Sequence, residues 1–334
     1  MSKLKDIATI AGVSISTVSK ALNNSSEIKK ETKANIIRIA RDLNYDLGVT
    51  QTEFSTKKSC SIGVICPEVN SNYYTQLISS IGDRIAKRSY SYTVAVTDFK
   101  PEKEEHYLEF FGNQGVDGIV LITENKDIQN IVGGIKDIWN IPLVLITTEN
   151  ETNDYDCIRI DDYHGAITGI EYLMRLGHKK IGYIGDNLTE ERLKAYREVL
   201  IKNDIPIIDE YISISTLRFE ECGYQGMKTI LQGSSRPTAV FAAYDDIAIG
   251  AMRAITEQGL SIPEDISVIG MDNVTVCPYL YKGLTTVSNP IKEMAAVSIS
   301  ILSRKIEDKE FTVIQNVVLK PSLIIRETTM KLNS

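Results

Sequence analysis

The sequence predicts an all-α headpiece followed by an α/β body of two lobes, each built on a doubly wound parallel sheet. Up to Tyr45 the chain reads as short amphipathic helices separated by glycine and cap residues, whereas from Ser61 onward short β-branched runs alternate with helical stretches. Continuous apolar runs between amphipathic helices are typical of buried strands in βαβ units. Because the runs form two sets, we expect two lobes with a cleft beyond the carboxyl ends of their strands.

A glycine turn joins the first two predicted helices. Ile7, Ala8 and Ala11 place apolar side chains on one face of a short helix. Gly12 can end that helix because it adopts a left-handed conformation without steric cost, and Ser14 is an N-cap residue for the next helix. This pattern is typical of a helix-turn-helix.

The second helix turns Val18 and Leu22 toward the first, which leaves a small and polar face that can enter the major groove of DNA. An ordinary capped helix pair is the alternative, but the glycine turn, the cap and the polar face together favour DNA binding. Base-edge contacts are expected from Ile15, Ser16, Ser19 and Lys20, and phosphate contacts from Ser14, Thr17 and Asn23.

The segment Lys3–Asn24, with Glu31-Thr32 and Leu43-Asn44-Tyr45, resembles the DNA-binding headpiece of the lactose-repressor (LacI/GalR) family. In that family a third helix follows, and here it would run from about Lys30 to Leu43. Its apolar residues would close a three-helix core: Ile36, Ile39, Ala40 and Leu43.

Charge is distributed unevenly along the chain. The formal net charge is −7, yet residues 1–58 carry ten Lys and Arg against six Asp and Glu, a balance of +4. A basic head on an acidic body concentrates the attraction for phosphates in one place. Because the excess is modest, we expect two heads side by side on double-stranded operator DNA, hence a homodimer on a pseudo-palindromic site.

The cysteines indicate a reducing compartment. They are odd in number, scattered and without a C-x-x-C pair, which argues against a disulfide framework or a zinc site. The N-terminus has no charged leader followed by an apolar stretch, and no segment has the length of a membrane span. We therefore expect a cytoplasmic protein without membrane contact. The cysteines are Cys60, Cys66, Cys157, Cys222 and Cys277.

Residues 47–60 are expected to form a hinge between headpiece and body. The family hinge reads close to Pro-Asn-x-x-Ala-Arg-x-Leu, a helix whose leucine wedges into the minor groove. The corresponding stretch here contains Gly48, Val49 and Thr50, poor helix formers that together cost about 2 kcal/mol relative to an alanine-rich hinge. Phe54 is the expected wedge, since phenylalanine can unstack base steps.

The resemblance continues through the body and implies a periplasmic-binding-protein-like effector domain. It is carried by such stretches as Leu176-Gly177-His178-Lys179-Lys180-Ile181 and Ile266-Ser267-Val268-Ile269-Gly270-Met271-Asp272. It also implies three crossings between lobes, near Arg159–Asp162, Val287–Pro290 and Leu319–Ser322. The expected division is a headpiece over 1–46, a hinge over 47–60 and an effector domain over 61–330, with one lobe from about 61–160 and 290–319 and the other from about 161–288 and 321–330.

A sugar or polyol cleft requires carboxylates and an arginine for hydroxyl groups, together with an aromatic wall. The resemblance implies that Arg192 and Asp272 bind effector hydroxyls. A surface ion pair with a neighbouring glutamate is the alternative for Arg192, and a loop cap is the alternative for Asp272. Further candidates near strand ends and crossings are Asn70, Tyr73, Tyr74, Thr123, Thr147, Phe219, Tyr244 and Asn289.

Two departures from the family reduce polar contacts in this cleft. Tyr244 stands where relatives often have Asn, and Thr147 stands where they often have Asp. We therefore keep two hypotheses. The first is a ligand-responsive regulator, a repressor of carbohydrate-use genes with a sugar-like effector. The second is an architectural or constitutive DNA-binding regulator with a vestigial cleft.

Catalysis is not expected. The sequence has no G-x-G-x-x-G, no G-x-x-x-x-G-K-[ST] and no H-E-x-x-H, so we expect no cofactor and no metal. His106, His164 and His178 lie far apart, and His178 is expected to be structural. The adjacent carboxylates Asp161-Asp162 and Asp245-Asp246 are expected to be helix N-caps. A transport solute-binding protein is contradicted by residues 1–58.

Overall fold

The computed structural model describes residues 3–22, 25, 27–43, 60–148 and 154–332. Its headpiece contains helices α1 (Leu4–Ala11), α2 (Ile15–Leu22) and α3 (Lys30–Asp42). Gly12 ends α1 with φ at 67°, and the Thr17 N–H donates to Ser14 Oγ at 3.1 Å at the start of α2. The three helices bury one small core: Ile7, Ala8, Val18, Ala21, Ile36, Ile39 and Ala40. The predicted three-helix headpiece is therefore confirmed, with Leu22 and Leu43 packed at its edge.

The body alternates strands and helices. Its strands are β1 (Ser61–Cys66), β2 (Ser91–Val96), β3 (Gly118–Ile122), β4 (Leu143–Thr147), β5 (Asp156–Ile160), β6 (Ile181–Asp186), β7 (Ile212–Ser215), β8 (Ala239–Ala242), β9 (Ser267–Asp272), β10 (Thr285–Ser288), β11 (Asn316–Leu319) and β12 (Ser322–Ile324). Its α-helices are α4 (Asn72–Ala86), α5 (Pro101–Gln114), α6 (Ile128–Trp139), α7 (Asp162–Arg175), α8 (Glu190–Lys202), α9 (Phe219–Leu231), α10 (Asp245–Glu257) and α11 (Ile291–Glu307).

The strands form two six-stranded sheets. The first has the order β11-β5-β4-β3-β1-β2 and is parallel throughout. The second has the order β12-β10-β9-β8-β6-β7, in which β12 pairs antiparallel with β10 and the other pairs are parallel. Two doubly wound lobes, as the sequence predicts, are therefore confirmed.

Two strands extend beyond their predicted ends, and this extension positions the cleft. The apolar runs Ile181–Ile184 and Ile266–Ile269 predict strands that stop at Ile184 and Ile269, but β6 continues to Asp186 and β9 to Asp272. Glycine and aspartate have low strand propensity, so the apolar pattern ends before the strand does. Hydrogen bonding with neighbouring strands keeps the backbone extended up to Asp186 and Asp272. Each extension delivers a buried carboxylate to the carboxyl edge of the second sheet.

The chain passes between the two sheets three times: from β5 into α7, from β10 into α11, and from β11 into β12. Helix α11 follows a strand of the second sheet but packs on the first, against β3, β4 and β5. Both faces of the first sheet are thus covered, one by α4 and α11 and the other by α5 and α6. None of the helices in the described ranges is long and apolar enough to cross a membrane.

Candidate DNA-binding face and effector cleft

Helix α2 presents a polar face to solvent. Ser16 and Lys20 are exposed, Ser19 and Thr17 are half-buried, and Ile15 is 48% exposed. Val18 is fully buried on the opposite side, so the helix is oriented as its amphipathic pattern predicts. The other residues assigned to DNA contact, Asn23 and Phe54, lie outside the described residues.

Three hydroxyl groups cluster at the start of α2. Ser14 Oγ lies 2.8 Å from both Ser16 Oγ and Thr17 Oγ1, and it also accepts the Thr17 N–H. Ser14 therefore acts as the helix cap, and the hydroxyl groups of Ser16 and Thr17 can make further hydrogen bonds. Hydroxyls at a helix N-terminus are suited to a phosphate because the helix dipole and the open N–H groups attract negative charge.

Lys20, expected at base edges, is held by an exposed ion pair with Glu27 in the connection between α2 and α3. The hydrogen bond from Lys20, with its charge, lowers the pKa of the Glu27 carboxyl. An acidic group beside the recognition helix opposes the approach of phosphates. If Lys20 contacts DNA as the sequence predicts, Glu27 competes with DNA for its ammonium group.

We expect Glu27→Gln to strengthen DNA binding about two- to fivefold, because it removes a charge that repels phosphates. We expect Lys20→Ala to weaken the preference for an operator selected from random DNA, since a good base contact contributes about 1–3 kcal/mol. Both effects are measured by fluorescence anisotropy on the operator and on scrambled DNA. If Glu27 acts through Lys20, the double variant binds like Lys20→Ala alone. Additive effects in this double-mutant cycle would contradict the proposed competition.

The effector cleft lies between the lobes at the carboxyl ends of both sheets. Its cavity has a volume of about 90 Å³. Six of the ten residues expected at the effector line it: Tyr73, Tyr74, Arg192, Tyr244, Asp272 and Asn289. Seven polar or aromatic residues that are not among the expected ten also line it: Ser71, Phe99, Glu124, Thr148, Asp162, Thr189 and Arg218.

Arg192, in the first turn of α8, is the central cation of the cleft. Its Nε and Nη2 donate to the two carboxylate oxygens of Asp162 at 2.7 and 2.8 Å, and Nη1 donates to the Ala243 carbonyl. Its side chain is only 13% exposed. Arg192 is therefore a buried bidentate partner of Asp162 and not a surface partner of Glu190 or Glu191.

Asp272 ends β9 in a strained conformation. Its φ is 108° and that of Asn273 is 58°, a backbone that costs about 1–3 kcal/mol per residue. Arg326 and Ser288 hydrogen-bond the Asn273 side chain and hold this turn. Burial raises the pKa of Asp272 well above its usual range, although Arg192 Nη2 lies 3.7 Å away and opposes the shift. Strain held in this way is typical of a ligand site.

Asn289 follows β10 on the crossing into α11. Its Nδ2 donates to Asp272 Oδ1 at 2.8 Å. Its Oδ1 is buried and has no hydrogen-bond partner among the described residues, while the side chain as a whole is 5% exposed. A buried acceptor without a partner costs about 1–3 kcal/mol, so this atom favours a ligand that donates a hydrogen bond.

An aromatic wall and a carboxyl group form the first-lobe side of the cleft. The ring of Tyr74 contacts those of Tyr73 and Phe99 edge to face, with centroids 5.1 and 6.2 Å apart. Glu124 accepts hydrogen bonds from Tyr74 Oη at 3.0 Å and from Thr148 Oγ1. Burial raises the pKa of Glu124 to about 7.

Four of the expected residues do not line the cleft. Thr123 is buried and donates to Glu104, and Thr147 is also buried; the next residues, Glu124 and Thr148, take their places. The offset is one residue because successive side chains of an extended chain point to opposite sides. Asn70 is exposed to solvent, and Phe219 packs against Arg218 and Tyr244.

Tyr244 closes the second-lobe side of the cleft. Its hydroxyl donates to Asp186 Oδ2 at 2.7 Å and accepts the Phe219 N–H at 3.0 Å. It also precedes α10, so Asp245 is not the N-cap but a buried residue of the first turn. Asp245 accepts hydrogen bonds from the Val274 N–H at 2.9 Å and from a threonine hydroxyl.

Two polar contacts join the lobes at the mouth of the cleft. Arg218 Nη2 lies 2.8 Å from Glu68 Oε1, and Asn72 Nδ2 donates to Asp246 Oδ1 at 2.7 Å. The residues of each contact lie more than 140 positions apart in sequence. The lobes are therefore in a closed arrangement.

A second cavity and the histidine that precedes β6, His178, are less suited than the cleft to binding a ligand. A larger cavity of about 480 Å³ lies at the opposite edge of the first sheet, next to Pro142 and Leu143 at the start of β4. It is away from the carboxyl strand ends, where α/β sheets bind ligands, so we favour the cleft. His178 bonds Thr238 Oγ1 at 2.9 Å and the Met330 carbonyl at 3.1 Å, as a structural residue does. Across the described ranges, no three acidic, histidine or cysteine side chains are grouped to hold a metal ion.

Known proteins match the chain along its whole length. A family model described as bacterial regulatory proteins, lacI family, matches residues 3–46, and one described as a periplasmic binding protein-like domain matches residues 170–329. The transcriptional regulator DegA of Bacillus subtilis (strain 168) is 31% identical over 335 residues, 98% of each chain.

Two solved structures are similar in fold. The lac repressor dimer bound to operator and the anti-inducer ONPF has a TM-score of 0.72 and 26% identity, over 98% of this chain and 99% of that one. A LacI family regulator from Enterococcus faecium with bound ribose has a TM-score of 0.71 and 26% identity, over 82% of this chain and 100% of that one. The resemblance inferred from the headpiece residues is thereby confirmed.

Proposed function

The chain belongs to the LacI family of transcriptional regulators and is not an enzyme, and from this premise we propose that it represses carbohydrate-use genes in response to a sugar-like effector. The effector would bind in the cleft between the lobes, where hydroxyl groups meet Asp272, Asn289 and the pair of Arg192 with Asp162. The single observation that carries this proposal is the buried Oδ1 of Asn289 without a partner among the described residues. Sugars supply the hydrogen-bond donors that such an acceptor requires.

We propose further that the repressor acts as a homodimer in the cytoplasm on a pseudo-palindromic operator. A loop of the second lobe exposes large apolar side chains, with Tyr279 84%, Tyr281 96% and Val276 39% exposed. Exposed apolar patches favour association, and a two-fold dimer would present two headpieces to symmetric half-sites. The proposed units are the headpiece 1–46, the hinge 47–60 and the effector domain 61–330.

We expect a screen of neutral sugars to identify a ligand that stabilises the protein, by about 2.7 kcal/mol at one hundred times its dissociation constant. Asn289→Ala should abolish most of that stabilisation because it removes the acceptor for a ligand hydroxyl. Asn70→Ala is the matched control, since Asn70 is exposed and does not line the cleft. Thermal shift and calorimetry measure both.

The alternative is a constitutive DNA-binding regulator with a vestigial cleft. It is favoured by the cavity of about 90 Å³, which is smaller than the 300–1,000 Å³ that is usual for ligand pockets. In that case no sugar stabilises the protein at concentrations far above the expected affinity, and Asn289→Ala behaves like Asn70→Ala. The same screen therefore decides between the two functions.

A further inference from the structure

We infer that the effector carries no negative charge, so that the cleft selects neutral polyols or their amino derivatives against carboxylated and phosphorylated sugars. This inference rests on the proposed function and specifies the ligand class of that site. It depends on the balance of charge within the cleft, on how far each cation is already paired, and on which polar atoms remain to receive a ligand.

Carboxyl groups outnumber the cations that line the cleft. Glu124, Asp162 and Asp272 line it, and the cations among the described lining residues are Arg192 and Arg218. The carboxyl groups come from both lobes, since Glu124 follows β3 and Asp272 ends β9. A ligand between the lobes therefore meets acidic groups on both sides.

Neither arginine is available to bind an anion. Arg192 donates to both oxygens of Asp162 and to the Ala243 carbonyl. Arg218 lies 2.8 Å from Glu68 Oε1 and 2.9 Å from Asp186 Oδ2, and its guanidinium stacks on aromatic rings. Both cations are neutralised by carboxylates of this chain, so a ligand anion would have to displace one of those partners.

Helix N-termini, which attract anions in many proteins, are also compensated here. Several helices begin beside the cleft with carboxylates in their first turns: α7 with Asp162, α8 with Glu190 and Glu191, α9 with Glu220 and Glu221, α10 with Asp245 and Asp246, and α11 with Glu293. Negative side chains at these positions already interact favourably with the helix dipoles. Helices α4 and α6, which begin near the cleft-lining residues Tyr73 and Glu124, have no acidic residue in their first turns.

Most polar atoms that remain for a ligand are acceptors. The buried donor Arg218 Nε makes no hydrogen bond within the described residues, but it lies 2.9 Å from Asp186 Oδ2. Asn289 Oδ1 has no partner among the described residues, and Asp272 accepts a hydrogen bond from Asn289 and lies 3.7 Å from Arg192 Nη2. Glu124 accepts from Tyr74 and Thr148 and faces the same cavity. Acceptors call for ligand hydroxyl or amino groups. A ligand carboxylate or phosphate offers them no hydrogen-bond donor, and above pH 7, where Glu124 is ionised, it also faces a like charge.

The test uses sugars that share a carbon skeleton and differ in charge: ribose with ribose 5-phosphate, and glucose and galactose each with the amino sugar, the uronate and the 6-phosphate. Full-length protein is titrated with each by calorimetry at about pH 8.5, above the pKa of about 7 of Glu124. For any skeleton that binds, we expect the neutral or amino form to bind at least about tenfold more tightly than its anionic form. An anionic form that binds equally well or better would overturn the inference while leaving the proposed function intact. If no sugar of any set binds, the proposed function fails and the inference fails with it.

Whether this charge selectivity arises in the cleft is tested with a variant of Glu124. At about pH 8.5, where Glu124 with its pKa of about 7 is ionised, Glu124→Gln removes one facing charge and keeps the shape of the side chain. The ratio of neutral to anionic affinity should therefore fall at least about threefold. Glu307→Gln is the matched control, because Glu307 is an exposed glutamate of the same lobe, at the end of α11 that lies away from the cleft. Equal ratios in the two variants would overturn the assignment to Glu124.

Discussion

Arg192→Ala is expected to lower the free energy of unfolding by about 3–5 kcal/mol, because it leaves Asp162 and Asp272 buried without their shared cation. Removal of one partner from a buried ion pair costs more than the pair contributes, since the remaining charge cannot return to water. Urea unfolding without ligand, followed by circular dichroism, measures the change.

The matched control is Arg197→Ala, on the same helix but exposed. Its effect should stay within about 0.5 kcal/mol, as is usual for surface positions. A loss below about 1 kcal/mol for Arg192→Ala would mean that water reaches Asp162 and Asp272 freely, which contradicts a closed cleft.

The second large effect is expected where α9 crosses α10. A Cβ added at Gly250 would lie 1.9 Å from the Glu220 carbonyl oxygen, and one at Gly223 would lie 1.9 Å from that of Ile247. These neighbours are backbone atoms, so the helices themselves must separate. We expect Gly250→Ala to destabilise the protein by about 3 kcal/mol or more, measured by the same urea unfolding.

Gly133→Ala in α6 is the control for helix propensity. Its new Cβ would meet only Tyr155 Oη, at 3.4 Å, so the change should stay within about 1 kcal/mol. The N-termini of α9 and α10 adjoin Arg218 and Tyr244, so Gly250→Ala should also weaken effector binding. If Gly250→Ala is as mild as Gly133→Ala, the close crossing of these helices is wrong.

Much of the fold follows from local signals. Gly12 and Ser14 predict the turn of the headpiece, because a glycine that ends one helix and a hydroxyl that caps the next are local signals two residues apart. The apolar runs locate the strands because buried parallel strands have no polar face to obscure the pattern. The carboxyl ends of β6 and β9 are missed because pairing with neighbouring strands extends them past residues of low strand propensity.

The cleft is predicted less completely, for two physical reasons. Side chains alternate along an extended chain, so an error of one residue selects the wrong face. The sequence predicts Thr123 and Thr147 at the cleft, whereas Glu124 and Thr148 face the cavity. Contacts between residues distant in sequence produce no local sequence pattern. The partner of Arg192 is Asp162, thirty residues away, for which the sequence predicts only a helix cap.

The position of α11 in the chain has a consequence for synthesis on the ribosome. The first lobe is completed by α11 and β11, which emerge only after the whole second sheet except β12 has been made. Until then β3, β4 and β5 lack the helix that covers one of their faces, and β5 is an open edge. Partly made sheets with uncovered apolar faces are prone to aggregation. Nascent chains that end near residue 288 should therefore be the ones that most need a chaperone, and neither lobe can be produced alone as one continuous piece of this sequence.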